Sequence, residues 1–322
     1  MEMRRLGKAG LKVSTLGYGA GAVGGLMTKG AAADQERAIA RAVELGINYI
    51  DTASIYGNGE SERNLGRVLK ALKPDIVLGT KVRLVAGDRG QVGAAIEREL
   101  EGSLRRLGRD YLDLYQLHNP LSATDAGDRL SIDIAMNEVV PVFERLKREG
   151  KIRFFGFSAV GETAAFQRAI GSKAFDTAQI VYNALNPSAG GPLPSGAPGQ
   201  DYERLFDHIR AADMGVIVIR ALAGGALSGS TARHPLAMQE VAPIGSGKDL
   251  AVDAERARKL EPLLAEGVAG SLAEFAMRFT IAHPAVSTML IGYSTLDHLE
   301  QAAAAVNKGP LPEAVLKRIA GG

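Results

Sequence analysis

Four side chains in this sequence are of types that together could move a proton to or from an oxygen atom. Asp51 and Tyr56 lie five residues apart in IDTASIYGNGESE, Lys81 lies in GTKV and His118 lies in YQLHN. A tyrosine is a poor acid at neutral pH unless a nearby ammonium stabilises its phenolate, and a carboxylate beside that ammonium keeps it charged. A neutral imidazole could then polarise a carbonyl oxygen. The set suits interconversion of a carbonyl and an alcohol, and the hydride must come from a nicotinamide cofactor because none of these side chains supplies one.

Each of these residues taken alone also has a structural explanation. An aspartate can form a turn at a strand end, a lysine there is usually solvated, and a lone histidine or loop tyrosine can simply pack. Their positions favour one shared site, because Asp51, Lys81 and His118 end three consecutive predicted strands and Tyr56 follows the first. Strand ends of this kind converge at one face of a parallel barrel.

The elements that must position these residues alternate between apolar strand-like runs and amphipathic helical patterns. Strands are predicted over residues 14–19, 47–53, 75–82, 112–119, 152–159, 177–183, 215–222 and 286–293. Helices are predicted over 31–46, 61–72, 91–108, 134–150, 162–171, 202–215, 271–282 and 294–306. Most of the strands are nearly continuous apolar runs, as in parallel strands buried on both faces. Eight strand–helix units in 322 residues predict an α/β fold, a single (β/α)8 TIM barrel domain over 1–322.

Three further segments complete the predicted barrel. RRLGKAGLKV (4–13) predicts an N-terminal β-hairpin that closes the bottom. Two long insertions, 186–200 and 223–270, leave the C-terminal ends of strands, where we expect them to shape a substrate pocket. Ser61 is expected to cap the helix that begins after GNG.

A glycine motif, GAGAVG (19–24), matches the G-x-G-x-x-G fingerprint of dinucleotide-binding folds. That fingerprint requires a helix to begin directly at the glycines, whereas LMTKGAAA intervenes here, and Asp51 lies 27 residues beyond Gly24 rather than about 20. Eight strands also exceed what a doubly wound fold predicts. We therefore favour a tight loop whose bare backbone lets a ligand approach closely.

Composition narrows the possible partners and compartments. Lys and Arg number 38 against 36 Asp and Glu, without a dense basic run, so neither nucleic acid nor a membrane surface is expected as a partner. The chain has no cysteine, which excludes disulfides and thiolate metal sites. No apolar run approaches 18 residues, and MEMRRLGKAG is not typical of a signal peptide. We expect a cytoplasmic, monomeric enzyme that needs no metal.

Over nearly the whole chain the sequence resembles the aldo-keto reductases. GINYIDTASIYGNGESERNLG resembles that family's Asp/Tyr signature, LGTKV its lysine strand and DLYQLHNP its histidine strand. The resemblance implies that Tyr56 is the general acid and base, that His118 orients and polarises the carbonyl, and that Lys81 with Asp51 tunes the tyrosine. The implied substrate is a small aldehyde, ketone, sugar or alcohol.

The same resemblance implies where the cofactor binds. Ser158 and Gln179 are similar to residues that hold the nicotinamide carboxamide, although Ala159 replaces the asparagine that is common there. RALAGGALSG (220–229) resembles the loop that crosses the pyrophosphate, and LIGYSTLDHLEQA (290–302) the segment that grips the adenosine end. Ile219 stands where the family commonly stacks an aromatic ring. The full expected set is Gly19, Ala20, Asp51, Ser158, Gln179, Ile219, Arg220, Leu222, Gly225, Ile291, Gly292, Tyr293, Ser294 and His298.

The choice between NADP(H) and NAD(H) depends on the helix after the last strand. His298 lies near the place where NADP-dependent members carry a basic residue, and Ser294 and Thr295 could donate to a phosphate. No Arg or Lys lies between Phe279 and Val306, so the strong phosphate pairing is absent. NADP(H) is the favoured cofactor on the family's habit, with NAD(H) as the alternative.

Three other functions stay open on the sequence. One is an NAD-linked sugar or alcohol dehydrogenase of the same fold. Another is a barrel that binds cofactor but serves as a regulatory subunit, as some relatives of ion channels do. The third is an unrelated barrel enzyme such as a phosphate-handling isomerase.

Overall fold

Eight parallel strands close into a barrel in this computed structural model, which describes residues 1–245, 247 and 249–321. The predicted (β/α)8 TIM barrel is therefore confirmed. Ser246 and Lys248 of the predicted insertion 223–270, and Gly322 at the end of the predicted domain, lie outside the described residues.

The barrel strands correspond one by one to the predicted strands. The described strands are β1 (Met3–Arg5), β2 (Lys12–Ser14), β3 (Leu16–Gly19), β4 (Tyr49–Asp51), β5 (Val77–Val82), β6 (Leu112–Leu117), β7 (Leu121–Ser122), β8 (Leu130–Ser131), β9 (Ile152–Ser158), β10 (Thr177–Val181), β11 (Gly215–Ile219) and β12 (Val286–Gly292). The barrel runs β3, β4, β5, β6, β9, β10, β11, β12, and β12 pairs with β3. The strands are shorter than predicted because apolar runs continue into buried loop residues such as Ala53, which is 0% exposed.

The helices pack around the barrel. They are α1 (Leu26–Lys29), α2 (Ala32–Glu44), α3 (Glu60–Leu72), α4 (Val92–Leu107), α5 (Ile132–Ile134), α6 (Val140–Arg148), α7 (Thr163–Gly171), α8 (Leu205–Ala211), α9 (Leu250–Arg258), α10 (Glu261–Ala265), α11 (Leu272–Ala282), α12 (Leu296–Asn307) and α13 (Glu313–Gly321). The helix predicted over 134–150 contains a π-helical turn at Ala135–Val139. Pro141, the second residue of α6, follows two residues later and has no N–H to donate to the preceding turn. No prediction covered α1, α9, α10 or α13.

The N-terminal hairpin closes the bottom of the barrel, as predicted. β1 and β2 pair antiparallel, and Leu6 in their turn is fully buried in a cluster that includes Val77 and Leu114 inside the barrel. Gly7 makes the closest approach: its φ is +48°, and a Cβ there would lie 2.1 Å from the backbone nitrogen of Gly215. Only glycine fits this contact without a shift of the backbone.

The glycine motif 19–24 begins at the last residue of β3 and continues as the loop before α1. The closed barrel excludes the doubly wound alternative. LMTK, expected to separate the glycines from the first helix, instead forms the single-turn helix α1, which begins two residues after Gly24. Gly24 packs against the end of β12, where a Cβ would lie 2.3 Å from the nitrogen of Tyr293.

Within the described residues no helix is both long enough and apolar enough to span a bilayer.

The contact at Gly7 predicts a difference between two glycines of the same turn. Gly7→Ala should lower the free energy of unfolding by about 2–4 kcal/mol, because the left-handed φ and the overlap with β11 both oppose the methyl group. Gly10→Ala, at φ +71° with nothing within 4 Å of its Cβ, should cost only about 1 kcal/mol. Urea unfolding of both variants checks this, and equal losses would contradict the proposed close contact.

Candidate active site

The barrel brings Asp51, Tyr56, Lys81 and His118 together at one face. Asp51 is the last residue of β4, Lys81 is near the end of β5, and His118 follows β6 directly. Neighbouring parallel strands place their carboxyl ends side by side, so residues that are distant in sequence meet there. The four side chains therefore lie close together, within hydrogen-bond or ring contact of one another.

The ammonium of Lys81 is the centre of the group. It has three N–H donors, and its acceptors are the carboxylate of Asp51, the carbonyl oxygen of Thr52 at 2.7 Å and the hydroxyl oxygen of Tyr56 at 3.4 Å. The side chains of Lys81 and Asp51 are only 1% and 4% exposed. Burial alone would lower the pKa of Lys81, but the charges of Asp51 and of a Tyr56 phenolate outweigh burial and raise this pKa above its ordinary value. Lys81 is therefore charged at neutral pH and adjoins the tyrosine hydroxyl.

The carboxylate of Asp51 is held from several directions. While one oxygen binds Lys81, Oδ2 accepts hydrogen bonds from the hydroxyl of Tyr49 at 3.1 Å, from Nε2 of Gln116 at 3.0 Å and from Nε2 of Gln179 at 2.7 Å. Sequence reasoning missed Tyr49 and Gln116, which read as strand residues in INYI and LYQL. The only signal in the sequence is spacing. Tyr49 lies two residues before Asp51 and Gln116 two residues before His118, so each shares a strand face with a predicted site residue.

His118 completes the group on the other side of the tyrosine. Its ring meets that of Tyr56 edge-on, with the centroids 5.7 Å apart. Burial, reinforced by the charges of Lys81 and Arg83, holds the pKa of His118 well below its ordinary value. The imidazole is therefore neutral at pH 7, as a group that polarises a carbonyl by a hydrogen bond needs to be.

Tyr56 is fixed by a turn in which the chain adopts left-handed conformations. Gly57, Asn58 and Gly59 have φ values of +59°, +53° and +85°. The capping prediction for Ser61 is wrong: the N-cap of α3 is Gly59. The hydroxyl of Ser61 is instead buried and donates to the carbonyl of Ala20 at 2.8 Å, which ties this turn to the loop after β3.

A second buried acid supports the lysine strand. Glu62, which is 0% exposed, accepts a hydrogen bond from Thr80 at 2.6 Å and one from Arg106 at 2.6 Å. Thr80 directly precedes Lys81, so α3 and α4 both hold β5 at the site. In the sequence, Glu62 looks like an ordinary solvated helix residue.

The predicted cofactor residues next to the charged group lie on β3 and β12. In the ladder Gly19 stands beside Asp51 on one side and Gly292 on the other. The N–H of Ala20 donates to the carbonyl of Asp51 at 2.9 Å. A Cβ on Gly19 would lie 3.0 Å from the carbonyl oxygen of Ile291, so this part of the rim is bare backbone. Asp51 thus adjoins Gly19 directly, and Gly292 lies one strand further round the barrel.

Three further predicted cofactor residues lie on the next strands of the barrel. Ser158 and Ile219 are the last residues of β9 and β11, and Gln179 is the middle residue of β10 between them. Gln179 pairs with Ser158 in the ladder. The hydroxyl of Ser158 is buried and has no hydrogen-bond partner among the described residues. A buried hydroxyl without a partner is unfavourable, so a ligand with a polar group at this place would satisfy it. The amide of Gln179 is already bonded to Asp51.

A cleft of about 510 Å³ is lined by the loop after β11, the end of β12, α11 and α12. Among the predicted residues, Leu222, Ile291, Gly292 and His298 line it. Further polar lining residues are Ser228, Ser271, Glu274, Gln301 and Lys308, which the sequence reasoning did not single out. The carboxylate of Glu274 is engaged by Lys308 at 2.7 Å and by Arg278 at 3.1 Å.

Two predicted cofactor residues direct their side chains away from that cleft. The ring of Tyr293 is 1% exposed and packs on Tyr18, with the centroids 5.0 Å apart. The hydroxyl of Ser294 donates to the carbonyl of Gly24 at 2.6 Å. The hydroxyl of Thr295 caps α12 by accepting from the N–H of His298. The contacts of Tyr293 and Ser294 hold β3 and the loop after it against the end of β12.

Arg220 and Gly225 lie in the loop after β11, where the backbone is left-handed at φ +59° and +113°. Burial lowers the pKa of Arg220, and so does the charge of Arg233, although Tyr56 opposes both. The guanidinium of Arg220 donates to the carbonyl of Ala242 at 3.1 Å, and no carboxylate of the described chain pairs with it. A part-buried guanidinium without an acid suits an anionic ligand.

Residues 15–321 match the model of the Aldo/keto reductase family. The chain is 27% identical over 315 residues to L-galactose dehydrogenase of Arabidopsis thaliana, covering 96% of this chain and 89% of that protein. It is 29% identical over 348 residues to a putative voltage-gated potassium channel subunit beta of Schizosaccharomyces pombe, covering 99% of this chain and 92% of that protein. Methylglyoxal reductase of Escherichia coli is 38% identical over 122 residues, which cover 38% of this chain and 37% of that protein.

A solved structure agrees with the sequence matches. The holo form of an aldo-keto reductase from Bacillus halodurans superposes with a TM-score of 0.73 at 29% sequence identity, covering 99% of this chain and 95% of that one.

Removing one partner of the buried ion pair should lower stability more than removing both partners. Lys81→Met should lower the free energy of unfolding by about 3–5 kcal/mol, because it leaves the Asp51 charge buried without its cation. Combining it with Asp51→Asn should recover part of that loss. Urea unfolding measures both, with Lys317→Met as a control in an exposed pair with Glu313 that should change little. A double variant less stable than Lys81→Met would contradict the pairing.

Proposed function

Because the chain belongs to the aldo/keto reductase family, it is an oxidoreductase that interconverts a carbonyl and an alcohol, and we propose that Tyr56 is its general acid and base. The observation that carries this proposal is the ammonium of Lys81, 3.4 Å from the hydroxyl oxygen of Tyr56 and kept charged by buried Asp51. That ammonium stabilises the phenolate that remains when the proton leaves.

In the proposed reduction the substrate's carbonyl oxygen lies between Tyr56 and His118. The neutral imidazole of His118 donates a hydrogen bond that polarises the carbonyl, and Tyr56 gives its proton to the oxygen as negative charge develops there. In the oxidation Tyr56 accepts the proton of the alcohol. The nicotinamide cofactor, which the family uses, supplies or accepts the hydride.

We propose that the cofactor binds along the rim from Ser158 to the cleft beside His298. The orphaned hydroxyl of Ser158 suits a carboxamide. β3 and β12 end in Gly19 and Gly292, which present no side chain to a ligand beside Asp51. Arg220, unpaired with any acid in the described chain, suits a phosphate. A free hydroxyl, a stretch of bare backbone and an unpaired guanidinium are together what a dinucleotide requires.

NADP(H) is the proposed cofactor, with NAD(H) as the alternative. His298 lines the cleft, and His234 lies close to it, with ring centroids 6.3 Å apart, so two imidazoles can share a phosphate. The one carboxylate lining the cleft within the described chain, Glu274, is engaged by Lys308 and Arg278, which weakens its repulsion of an anion. Both points support a 2′-phosphate site.

The proposed substrate is a small aldehyde, ketone or sugar, or the matching alcohol. Relatives named L-galactose dehydrogenase and methylglyoxal reductase support this range. Ile55 and Val85, which follow β4 and β5 and are 42% and 60% exposed, offer apolar contact beside the site. The monomeric state and the cytoplasmic location stay predictions.

A second candidate is a cofactor-binding regulatory subunit. The match to a putative channel beta subunit over 99% of the chain favours it. A panel of aldehydes, ketones, sugars and alcohols, tested with both cofactors, separates the two functions. Turnover of any member supports the enzyme, whereas cofactor binding without turnover of any member supports the subunit.

Removal of the Tyr56 hydroxyl tests the acid/base role. Tyr56→Phe should lower kcat by about 10²–10⁴-fold, because general acid–base catalysis contributes on that order, while the Kd for NADPH, followed by its fluorescence, should stay nearly constant. Tyr111→Phe, at an exposed tyrosine, is the control. Turnover of Tyr56→Phe within about threefold of the unmodified protein would overturn the role.

Proton binding at His298 tests the phosphate site. Burial and the charge of His234 lower the pKa of His298, with Asp297 opposing, so the ring is neutral at pH 7 and gains charge as the pH falls. The ratio of NADPH to NADH affinity should therefore rise about three- to tenfold from pH 8 to pH 6, since a phosphate favours the protonated ring.

The same titration on two histidine variants provides the control. His298→Gln should flatten this pH dependence, whereas His208→Gln, at an exposed position of α8, should leave it in place. A ratio that stays constant with pH in the unmodified protein would argue against His298 as a phosphate ligand.

A further inference from the structure

A buried tyrosine fills the inside of the barrel directly beneath the carboxylate of Asp51. Tyr49 lies two residues before Asp51 on β4, so both side chains face the barrel interior. Its side chain is 0% exposed. A Cβ at Gly79 would lie 2.9 Å from the Tyr49 hydroxyl, and one at Gly17 would lie 3.1 Å from the ring. Glycines on both flanking strands therefore leave the space that this ring occupies.

The Tyr49 hydroxyl belongs to a set of three donors on Asp51. It donates to Oδ2 at 3.1 Å, beside the amides of Gln116 at 3.0 Å and Gln179 at 2.7 Å. The donors come from three strands, β4, β6 and β10, so they approach the carboxylate from different sides of the barrel. Asp51 can neither rotate nor shift without breaking at least one of these bonds.

The hydroxyl of Tyr49 stays protonated throughout the working pH range. Burial first, and then the neighbouring charge of Asp51, raise the pKa of Tyr49 well above its ordinary value. The group is therefore a permanent donor. It also lies too deep to meet a substrate, because Asp51 and Lys81 stand between it and Tyr56.

We propose that Tyr49 is a positioning residue, which with Gln116 and Gln179 fixes the carboxylate of Asp51 so that Lys81 stays beside Tyr56. This inference rests on the proposed acid/base role of Tyr56. Donors on Oδ2 draw negative charge away from the oxygen that binds Lys81, and hydrogen bonds to a carboxylate are among the strong ones. The positive charge of Lys81 is consequently less neutralised by Asp51 and stabilises the Tyr56 phenolate more strongly. Without the Tyr49 hydroxyl, Asp51 neutralises Lys81 more completely and the phenolate forms less readily.

The pH dependence of alcohol oxidation reports this effect, because oxidation requires Tyr56 to accept a proton. In Tyr49→Phe the midpoint of the basic rise of kcat should move up by about 0.5–1 pH unit. Below the midpoint this shift equals a roughly three- to tenfold lower kcat. The Kd for the cofactor should not change. A merely structural role would lower kcat by the same factor at every pH and leave the midpoint where it was.

Tyr115→Phe is the matched control. Tyr115 is as deeply buried as Tyr49, yet its hydroxyl has no partner among the described residues, so the same atom is removed without breaking a bond. Its midpoint should coincide with that of the unmodified protein. Gln116→Leu removes another donor to Asp51 and should move the midpoint upward like Tyr49→Phe, which keeps the test decisive if Tyr49→Phe does not fold.

The experiment measures kcat for the best alcohol substrate of the panel from pH 6 to pH 10 in the four proteins. An upward shift in Tyr49→Phe and Gln116→Leu alone supports the inference. Midpoints that coincide in all four active proteins overturn it and leave the acid/base role of Tyr56 intact. If the unmodified protein and Tyr115→Phe turn over no substrate at all, the proposed function itself fails, and the inference fails with it.

Discussion

The buried ion pair between Lys81 and Asp51 is the interaction on which the rest of the site depends. Two charges removed from water are unfavourable unless each is paired and its remaining hydrogen-bonding capacity is satisfied. Here the ammonium has three acceptors, and the carboxylate has donors on both oxygens. The only neutral hydroxyl among those acceptors is that of Tyr56. The ammonium of Lys81 therefore serves two purposes. It pairs with Asp51 in the fold, and in the proposed reaction it stabilises the Tyr56 phenolate that remains after proton transfer.

Charged side chains and bare backbone occupy different strand ends of the barrel. Ionisable side chains stand at β4, β5 and just past β6, whereas β3 and β12 end in Gly19 and Gly292. In the ladder Gly19 pairs with Asp51, and Gly292 pairs with Gly19. At the proposed cofactor site, a ligand beside these two glycines would therefore meet backbone rather than side chains.

The sequence was sufficient to predict the barrel, because most of its strands are nearly continuous apolar runs. It also placed Asp51, Lys81 and His118 near the ends of three consecutive strands, and the structure brings these side chains together with Tyr56, while their catalytic roles stay proposed. It could not identify the residues that hold the site residues in place, such as Tyr49 and Glu62. Tyr49 reads as an ordinary strand aromatic, and its role appears only when barrel closure brings β6 and β10 around Asp51. Glu62 reads as a solvated helix residue, since nothing local indicates that Arg106 of α4 covers it. The capping prediction for Ser61 failed because a tertiary bond to Ala20 competes with the local cap.

The central claim is that Lys81 acts through Tyr56, and the turnover of the double variant tests it most directly. Residues that act as one unit are not additive: once Tyr56 is replaced, the loss of Lys81 has little left to affect. Tyr56→Phe/Lys81→Met should therefore have a kcat within about threefold of the slower single variant. A double variant whose loss equals the product of the two single losses would contradict the claim, since Lys81 would then serve the reaction independently of the tyrosine.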